Sequence, residues 1–247
     1  MSSINYGVII QARMSSTRAP SKVAYKILGK EMLFHQIKRL QNNGIENVFV
    51  ASSLKPDDAE VAEIAKKCGV ETFRGSLDNV LERYIMAAKN FSVENIIRVG
   101  GDDPLIDPCC IKSLIQAHKN QRADFIYASH KYGWIYGTAA ELVECSALEK
   151  AQRLAVSKSD KEHVVTFIRN NNAFPQYRIS PEKKELIRPD IYFSVDYSQD
   201  IELITEVLTY FAKKNKLYSF SQFDLVKLYD SSQLNINNKN LHDGFDE

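Results

Sequence analysis

The chain has 247 residues, of which 44% are hydrophobic and 26% are charged, a composition typical of a globular protein with one large domain. Its 32 basic and 31 acidic residues leave a formal net charge of +1. This balance argues against nucleic-acid or membrane-surface binding driven by bulk charge, although a local basic site remains open. No apolar run approaches the length of a membrane span and no signal-peptide pattern opens the chain, so we expect a cytoplasmic location.

Short apolar segments alternate with amphipathic segments through the first half of the chain. We predict strands at residues 8–10, 47–51, 70–73, 95–99 and 124–128. We predict helices at 31–43, 78–91 and 107 to about 118, and a further helix that begins at 56 and is ended by Gly69. Four successive strand-helix repeats at this spacing indicate an α/β fold with a mostly parallel sheet.

The second half of the chain has a less regular pattern. We predict strands around Gly133 and Gly137, further strands at 176–179 and 191–195, and helices at 146–155, 161–170, 198–213 and 222–229. Ser198 is the expected cap of the long helix. The pattern indicates a single domain over residues 1–247, with a protruding subregion at about 130–190 and a flexible tail from about 231.

The stretch from Gly7 to Lys22 holds the densest group of candidate binding residues. A short apolar run ends at Ile10, and the residues after it are rich in Arg, Lys and hydroxyl side chains. Ligands of open α/β sheets bind just past the carboxyl ends of such strands. No glycine lies between Gly7 and Gly29, which excludes the common glycine-rich phosphate loops, so phosphates would be held by Arg and Lys side chains. An ordinary solvated loop is the alternative.

Residues 10–18, IQARMSSTR, followed by Pro20 and Lys22, resemble the opening motif of the cytidylyltransferase family, in particular its spore-coat polysaccharide biosynthesis protein F branch. That motif usually reads QARMxSTRLPGK, so Ala19 and Ser21 replace the usual Leu and Gly. The resemblance implies a Rossmann-like nucleotide-diphospho-sugar transferase fold that forms homodimers through the protruding subregion. It also implies that Arg13 and Lys22 are catalytic and that this loop binds the nucleotide through Gln11, Ala12, Arg13, Ser16, Thr17, Arg18 and Lys22.

Two carboxylates, Asp102 and Asp196, are candidate metal ligands. Asp102 follows a predicted strand and two glycines, which let a backbone approach a ligand closely, and Mg²⁺ prefers oxygen ligands. A simple turn is the alternative. Residues 98–107 and 193–200 resemble family segments whose first Asp binds the metal, which implies Mg²⁺ (or Mn²⁺) on Asp102 and Asp196. It further implies a catalytic role for Asp102 and nucleotide contacts by Arg98 and Gly101. Asp200 is expected to be a helix-turn residue.

Weaker matches to the same family extend the predicted site. Segments around residues 51 and 74 resemble parts of the nucleotide pocket, and segments around 137 and 162 resemble parts of the acceptor pocket. These matches imply nucleotide contacts by Ala51, Ser52, Arg74, Gly75 and Asp78, and substrate contacts by Gly137, Glu141, Glu162 and His163. Ala139 replaces an Asp that the family has in its GLDxE segment, which leaves the identity of the acceptor open.

Three functions remain possible from the sequence. The first is a CTP-dependent nucleotidyltransferase that transfers CMP to an acidic sugar or related small acceptor, releases pyrophosphate and serves surface polysaccharide or glycoconjugate biosynthesis. The second is a glycosyltransferase, although Asp102 and Asp103 are adjacent rather than separated as in an Asp-x-Asp pair. The third is a degenerate family member that binds nucleotide without catalysis.

Overall fold

The computed structural model describes residues 5–16, 18–154, 157–236, 238 and 241–242. The strands are β1 (Tyr6–Gln11), β2 (Lys26–Ile27), β3 (Lys30–Glu31), β4 (Val48–Ser53), β5 (Thr72–Gly75), β6 (Asn95–Gly100), β7 (Phe125–Tyr127), β8 (Glu141–Glu144) and β9 (Gln176–Arg178). The helices are α1 (Met32–Asn42), α2 (Ala59–Lys67), α3 (Val80–Asn90), α4 (Pro108–Asn120), α5 (Cys145–Leu154), α6 (Lys158–Glu162), α7 (Thr166–Arg169), α8 (Ser198–Lys213) and α9 (Gln222–Asp230).

A seven-stranded sheet in the order β5-β4-β1-β6-β8-β7-β9 forms the centre of the described structure. Strand β8 runs antiparallel to both of its neighbours, and the other pairs are parallel. The predicted α/β fold with a mostly parallel sheet is therefore confirmed. The short ribbon of β2 and β3 is separate from this sheet and was not predicted.

Both faces of the sheet are covered, which explains the continuous apolar runs of its strands. Val8 and Ile10 of β1 pack in a cluster with α1, α2 and α4, whereas Ile9 packs in a second cluster with α3, α5 and α7. Successive residues of a strand point to opposite faces, so helices on both sides bury every residue of the run.

The order of the strands creates a crevice beside β1. The chain passes from β1 outward through β4 to β5 and then returns to form β6 on the other side of β1. Gln11 pairs with Gly100 in the register of β1 and β6, so the carboxyl ends of these two strands lie side by side. Ligands of open α/β sheets bind at such a switch point.

The region from 130 to 190, expected to protrude, contributes two strands to the main sheet. Strand β8 inserts between β6 and β7, and β9 forms the edge beside β7. The expected strand around Gly133 is wrong, because residues 130–132 form a 3₁₀ turn that Gly133 follows at a φ of 98°. The helix expected at 161–170 divides into α6 and α7. Dimerisation through this region stays a prediction, which light scattering at micromolar concentration would test.

Residues 191–195, predicted as a strand, form only an isolated bridge between Tyr192 and Tyr136. Ile191, Phe193 and Val195 pack in a third cluster with α8 and α9, which accounts for the apolar alternation in the sequence. The backbone of this segment bonds to loops rather than to a neighbouring strand, because the N–H of Val195 donates to the carbonyl of Asp102 at 2.8 Å.

Two described residues beyond α9 pack against the third cluster. Leu234 is buried in that cluster and Ile236 packs against it, while the N–H of Asn235 donates to Glu206 at 2.8 Å. Flexibility of the tail from about 231 stays a prediction. No helix in the described ranges is both long and apolar enough to cross a membrane.

Position 137 requires a glycine, both because of its backbone conformation and because neighbouring atoms leave no space for a side chain. Its φ is +83°, and a Cβ there would lie 2.6 Å from the carbonyl carbon of Phe193. Gly44 has a similar φ of +78°, but no atom lies within 4 Å of its would-be Cβ. We expect Gly44→Ala to lower the free energy of unfolding by about 1 kcal/mol from backbone strain. Gly137→Ala should lower it by about 2–4 kcal/mol, because overpacking adds to that strain.

Urea denaturation of the two variants measures both values. Equal losses in the two variants would show that the loop around residue 137 can move away from residues 193 and 194.

Candidate active site

The loop after β1 is held by hydrogen bonds at both of its ends. The N–H of Met14 donates to Asp58 at 2.6 Å, and the N–H of Ser21 donates to the carbonyl of Met14 at 3.0 Å. Ser21 itself has a left-handed backbone with a φ of 57°, which gives a physical reason for the glycine usual at this position of the motif. Met14 and Ser21 are therefore held in place by contacts within the protein.

Lys22 brings the two predicted metal carboxylates together. Its Nζ lies 3.1 Å from Oδ2 of Asp102 and 3.7 Å from Oδ1 of Asp196, and it also donates to the carbonyl of Val195. Lys22 is only 8% exposed, so water screens its ammonium poorly. Two neighbouring parallel strands would be one way to bring Asp102 and Asp196 together. The structure does so instead with the 191–195 segment bonded beside the loop after β6.

Asp196 is further held by two side chains. Nη2 of Arg18 lies 2.7 Å from Oδ1 of Asp196, and the hydroxyl of Tyr192 donates to Oδ2 at 2.8 Å. Burial, together with Tyr136 and Asp196, raises the pKa of Tyr192, so this hydroxyl stays protonated and remains a donor. Asp196 therefore has a defined orientation in the absence of any ligand.

Two adjoining cavities of about 320 and 330 Å³ open on either side of Asp102 and Asp196. The first, which we call the loop cavity, lies between the loop after β1 and the end of β6. The second, the inner cavity, lies between β6 and the loop before β8. Arg18, Arg98 and Gly100 also border both cavities. A two-part substrate site with the two carboxylates at its junction fits this arrangement.

The loop cavity has an excess of positive charge. Four basic side chains line it, against the two carboxylates of Asp102 and Asp196; they are Arg13, Arg18, Lys22 and Arg98. Oε1 of Gln11 is buried there without a hydrogen-bond partner among the described residues. Because buried polar atoms are normally paired, this oxygen is available to a ligand donor. The cavity is thus suited to a polyanion.

The inner cavity contains a partly buried ion pair between Arg98 and Glu141. Nη1 of Arg98 lies 2.8 Å from Glu141, which also accepts from Arg169 of α7. Burial acts to lower the pKa of Arg98, but Glu141 and Tyr84 outweigh it and the pKa is raised. Burial and then the Asp102 carboxylate raise the pKa of Asp103 well above its usual value.

The structure brings most of the predicted site residues to these cavities. Those that line the loop cavity are Gln11, Ala12, Arg13, Ser16, Arg18, Lys22, Arg98, Gly101, Asp102 and Asp196. Gly137 and Glu141 line the inner cavity, as does Ala139. Thr17 lies outside the described residues.

Other predicted site residues lie away from both cavities. Ala51 and Ser52 have no exposed surface, and they bond to Ala12 through the Ala51 carbonyl and the Ser52 hydroxyl. We therefore reassign them from nucleotide contacts to supports of the loop. Glu162 and His163 are exposed on and beside α6 and line neither cavity, so their contact with substrate stays a prediction.

Arg74, Gly75 and Asp78 also line neither cavity. The guanidinium of Arg74 donates to the carbonyls of Ser53 and Lys55, so it joins β5 to the end of β4. Strand β4 separates these residues from β1, and their contact with a nucleotide stays a prediction.

Three supporting side chains were not predicted as part of the site. Asp58 holds Met14, as described above, and also accepts from Ser53. Gln36 of α1 donates to the carbonyls of Gly100 and Asp103 at 2.7 and 2.9 Å. Asp200, expected to be a simple helix-turn residue, accepts from the N–H of Asp196 at 2.8 Å. Ser198 begins α8 and does not cap it, because the residue before it, Tyr197, occupies the cap position.

Asp102 and Asp196 fit a divalent cation bound together with substrate. Two carboxylate side chains meet at one ammonium, and their oxygens are the ligand type that Mg²⁺ takes alongside phosphates. No group of three or more His, Cys, Asp and Glu side chains suited to a metal occurs in the described ranges. A cation here would therefore rely on substrate oxygens for its remaining ligands.

Comparison with known proteins identifies the chain's family. The family model described as cytidylyltransferase matches residues 7–231. This chain belongs to the cytidylyltransferase family. A solved cytidylyltransferase from Leptospira borgpetersenii superposes on this cytidylyltransferase with a TM-score of 0.85 and 29% identity, over 93% of this chain and 95% of that one.

Two curated relatives support the assignment. Spore coat polysaccharide biosynthesis protein SpsF of Bacillus subtilis is 30% identical to this cytidylyltransferase over 79% of this chain and 83% of its own length. A 3-deoxy-manno-octulosonate cytidylyltransferase of Actinobacillus pleuropneumoniae is 32% identical over 49% of this chain and 48% of its own length. The chain is thus an enzyme of the nucleotidyltransferase class, which disfavours the glycosyltransferase and non-enzyme alternatives.

The position of Lys22 generates a prediction for nucleotide binding. We expect Lys22→Met, which keeps the aliphatic stem, to weaken CTP binding about tenfold to a hundredfold, because a charge-assisted contact contributes about 1.5–3 kcal/mol. Isothermal titration calorimetry measures the change, and circular dichroism checks that the fold persists.

Lys67→Met is the matched control, because it also removes a lysine ion pair, with Glu31, on the distant helix α2. Unchanged CTP affinity in the Lys22 variant would mean that the loop cavity does not hold the nucleotide through this residue.

Proposed function

We propose that this cytidylyltransferase transfers CMP from CTP to a hydroxyl group of an acidic sugar or a related small acceptor, with release of pyrophosphate. The observation that carries the proposal is the pair of adjoining cavities that share Asp102 and Asp196. One cavity has the positive charge that a triphosphate requires, and the other offers a separate space for the acceptor.

The loop cavity supplies the groups that would bind the triphosphate. Arg13 and Arg18 present guanidinium forks, which match phosphate oxygens, and Lys22 presents a compact point charge. The N–H of Gly101 is already used by the carbonyl of Gln11 at 2.8 Å, so side chains rather than this backbone group would carry the binding. Arg18 and Lys22 would exchange their carboxylate partners for phosphate oxygens when a cation takes up Asp102 and Asp196.

The reaction would proceed by displacement at the α-phosphorus of CTP. A bond forms between the acceptor oxygen and the α-phosphorus, the bond from this phosphorus to the bridging oxygen breaks, and the acceptor proton passes to solvent. The protein needs to hold the two reactants in line and to balance charge. Asp102 and Asp196 would hold Mg²⁺ (or Mn²⁺), which when bound neutralises phosphate charge and lowers the pKa of a coordinated hydroxyl.

The acceptor is proposed from the inner cavity and from the relatives' names. One relative is named for spore coat polysaccharide biosynthesis and the other for 3-deoxy-manno-octulosonate, which is a sugar acid. We therefore propose a role in surface polysaccharide or glycoconjugate biosynthesis. Arg18 and Arg98 line the inner cavity, and their guanidinium groups are the ones that would contact the carboxylate of an acidic acceptor. Ala139 lines the cavity where the resemblance placed an Asp, so the acceptor is expected to differ from those of proteins that keep the Asp.

Base selectivity is tested first. We expect CTP with Mg²⁺ to raise the melting temperature more than ATP, GTP or UTP, because ligand binding to the folded state stabilises it by mass action. A thermal-shift series at equal nucleotide concentrations measures this, and pyrophosphate release from CTP across a panel of acidic and neutral sugars then tests the transfer. Equal shifts for all four nucleotides would contradict the cytidine assignment, and absence of pyrophosphate release with every acceptor would leave CMP transfer to these sugars unsupported.

The metal assignment has its own test. We expect Asp102→Asn and Asp196→Asn to stay folded and to lose most turnover, with nucleotide affinity in the absence of metal little changed or higher, because repulsion of the triphosphate is relieved. Steady-state kinetics with and without EDTA measure this. Asp230→Asn is the control, because it removes an exposed carboxylate paired with Arg188 away from the cavities. Full activity in either site variant, or turnover that persists in excess EDTA, would contradict the assignment.

A further inference from the structure

Asp200 lies at the centre of a buried hydrogen-bond cluster behind Asp196. It is 1% exposed, and its Oδ2 accepts from the N–H groups of Asp196 and Tyr197, both at 2.8 Å. Its Oδ1 accepts from Nδ2 of Asn238 at 2.8 Å and Nε2 of His242 at 2.9 Å. One oxygen of Asp200 therefore fixes the backbone of a predicted metal ligand, while the other is held from the C-terminal end of the chain.

His242 also reaches Asp196 by a second route. Its ring stacks on Tyr192 with a centroid separation of 3.4 Å and an interplanar angle of 15°. Tyr192 in turn donates its hydroxyl to Oδ2 of Asp196. His242 thus contacts both the residue that holds the backbone of Asp196 and the residue that holds its carboxylate.

The segment that carries His242 is anchored to the domain. We call its described residues, 234–236, 238 and 241–242, the C-terminal strap. Asn238 is 2% exposed, and its carbonyl accepts from the N–H of Leu241 at 3.0 Å. With Leu234 buried against α8 and α9, the strap enters the cluster from a fixed position.

We propose that His242 is a positioning residue for the metal ligand Asp196, acting through Asp200 and Tyr192, and that the C-terminal strap therefore completes the active site. This proposal rests on the proposed function, since it assigns a role toward the cation that Asp196 would hold. Asp200 is buried. Loss of the hydrogen bonds that the strap donates to it leaves its Oδ1 short of partners and allows the side chain to rotate. A small displacement of a metal ligand lowers turnover more than it weakens substrate binding, because positioning acts on the reacting geometry.

Two substitutions of His242 separate its two contacts. His242→Phe keeps an aromatic ring against Tyr192 but removes the donor to Asp200, whereas His242→Gln keeps a donor but removes the ring. We expect His242→Phe to lower kcat about tenfold, to raise the Mg²⁺ concentration at half-maximal rate severalfold and to change the KM for CTP by less than threefold. Recovery of kcat and Mg²⁺ dependence in His242→Gln would assign the effect to the hydrogen bond with Asp200.

His118→Phe is the matched control for general destabilisation. His118 is also a largely buried histidine. It contacts Tyr6 and Glu144, which lie at the end of β1 and β6 opposite to the loop cavity. We expect it to lower the melting temperature without changing the Mg²⁺ dependence. The proposal is overturned if both His242 variants retain wild-type kcat and Mg²⁺ dependence. It is also overturned if their loss of kcat matches that of the control at equal loss of stability.

A readout without turnover keeps this proposal distinct from the proposed function. The N–H groups of Asp196 and Tyr197 donate to Asp200, so hydrogen exchange of these two amides should be at least tenfold faster in His242→Phe than in the wild type, and unchanged in His118→Phe. If the wild-type protein shows no transfer from CTP but exchange accelerates as expected, the proposed function fails while the strap's hold on Asp196 stands. If the wild-type protein transfers CMP but exchange of these two amides is unchanged in His242→Phe, the role of the strap is overturned and the proposed function stands.

Discussion

The contact of one lysine ammonium with two carboxylates is the interaction on which the site depends. Lys22 is nearly buried between Asp102 and Asp196, and without a cation these two carboxylates would repel each other in a region that water screens poorly. The ammonium therefore lets the loop after β1, the loop after β6 and the segment before α8 meet at one point. The same arrangement is consistent with the proposed binding of a metal ion and a triphosphate together, since both bring charges that can replace those of the lysine and its partners.

The sheet provides the rigid frame for this meeting point. Because β1 lies between β4 and β6, its end opens at the crevice where the chain reverses its direction across the sheet. Antiparallel β8, inserted beside β6, then supplies Glu141 to the inner cavity and aligns it with Arg98 in the strand register. The loop cavity and the inner cavity thus lie beside neighbouring strands, which explains how they can share the same pair of carboxylates.

Buried polar side chains behind the cavities keep this geometry in place. Asp58 fixes the loop after β1, Gln36 fixes the loop after β6, and Asp200 fixes the backbone of Asp196. Each of these side chains makes two or more hydrogen bonds, so leaving its polar atoms unpaired would lower the stability of the fold. These residues form a supporting layer for three loops, in addition to the charges of Lys22 and Arg18.

The sequence by itself determined the α/β class, most strands and helices, and the loop and carboxylates that converge on the site. These features are local, because a strand buried on both faces needs a continuous apolar run and its ligand-facing end shows as an abrupt change to polar residues. Only the tertiary structure decided that β8 inserts between β6 and β7, that Ala51 and Ser52 lie beneath the loop, and that Asp200 and His242 support Asp196. Those outcomes depend on which distant segments meet. The sequence does not distinguish a polar side chain that bonds to water from one that bonds to a ligand or to a backbone N–H from another part of the chain.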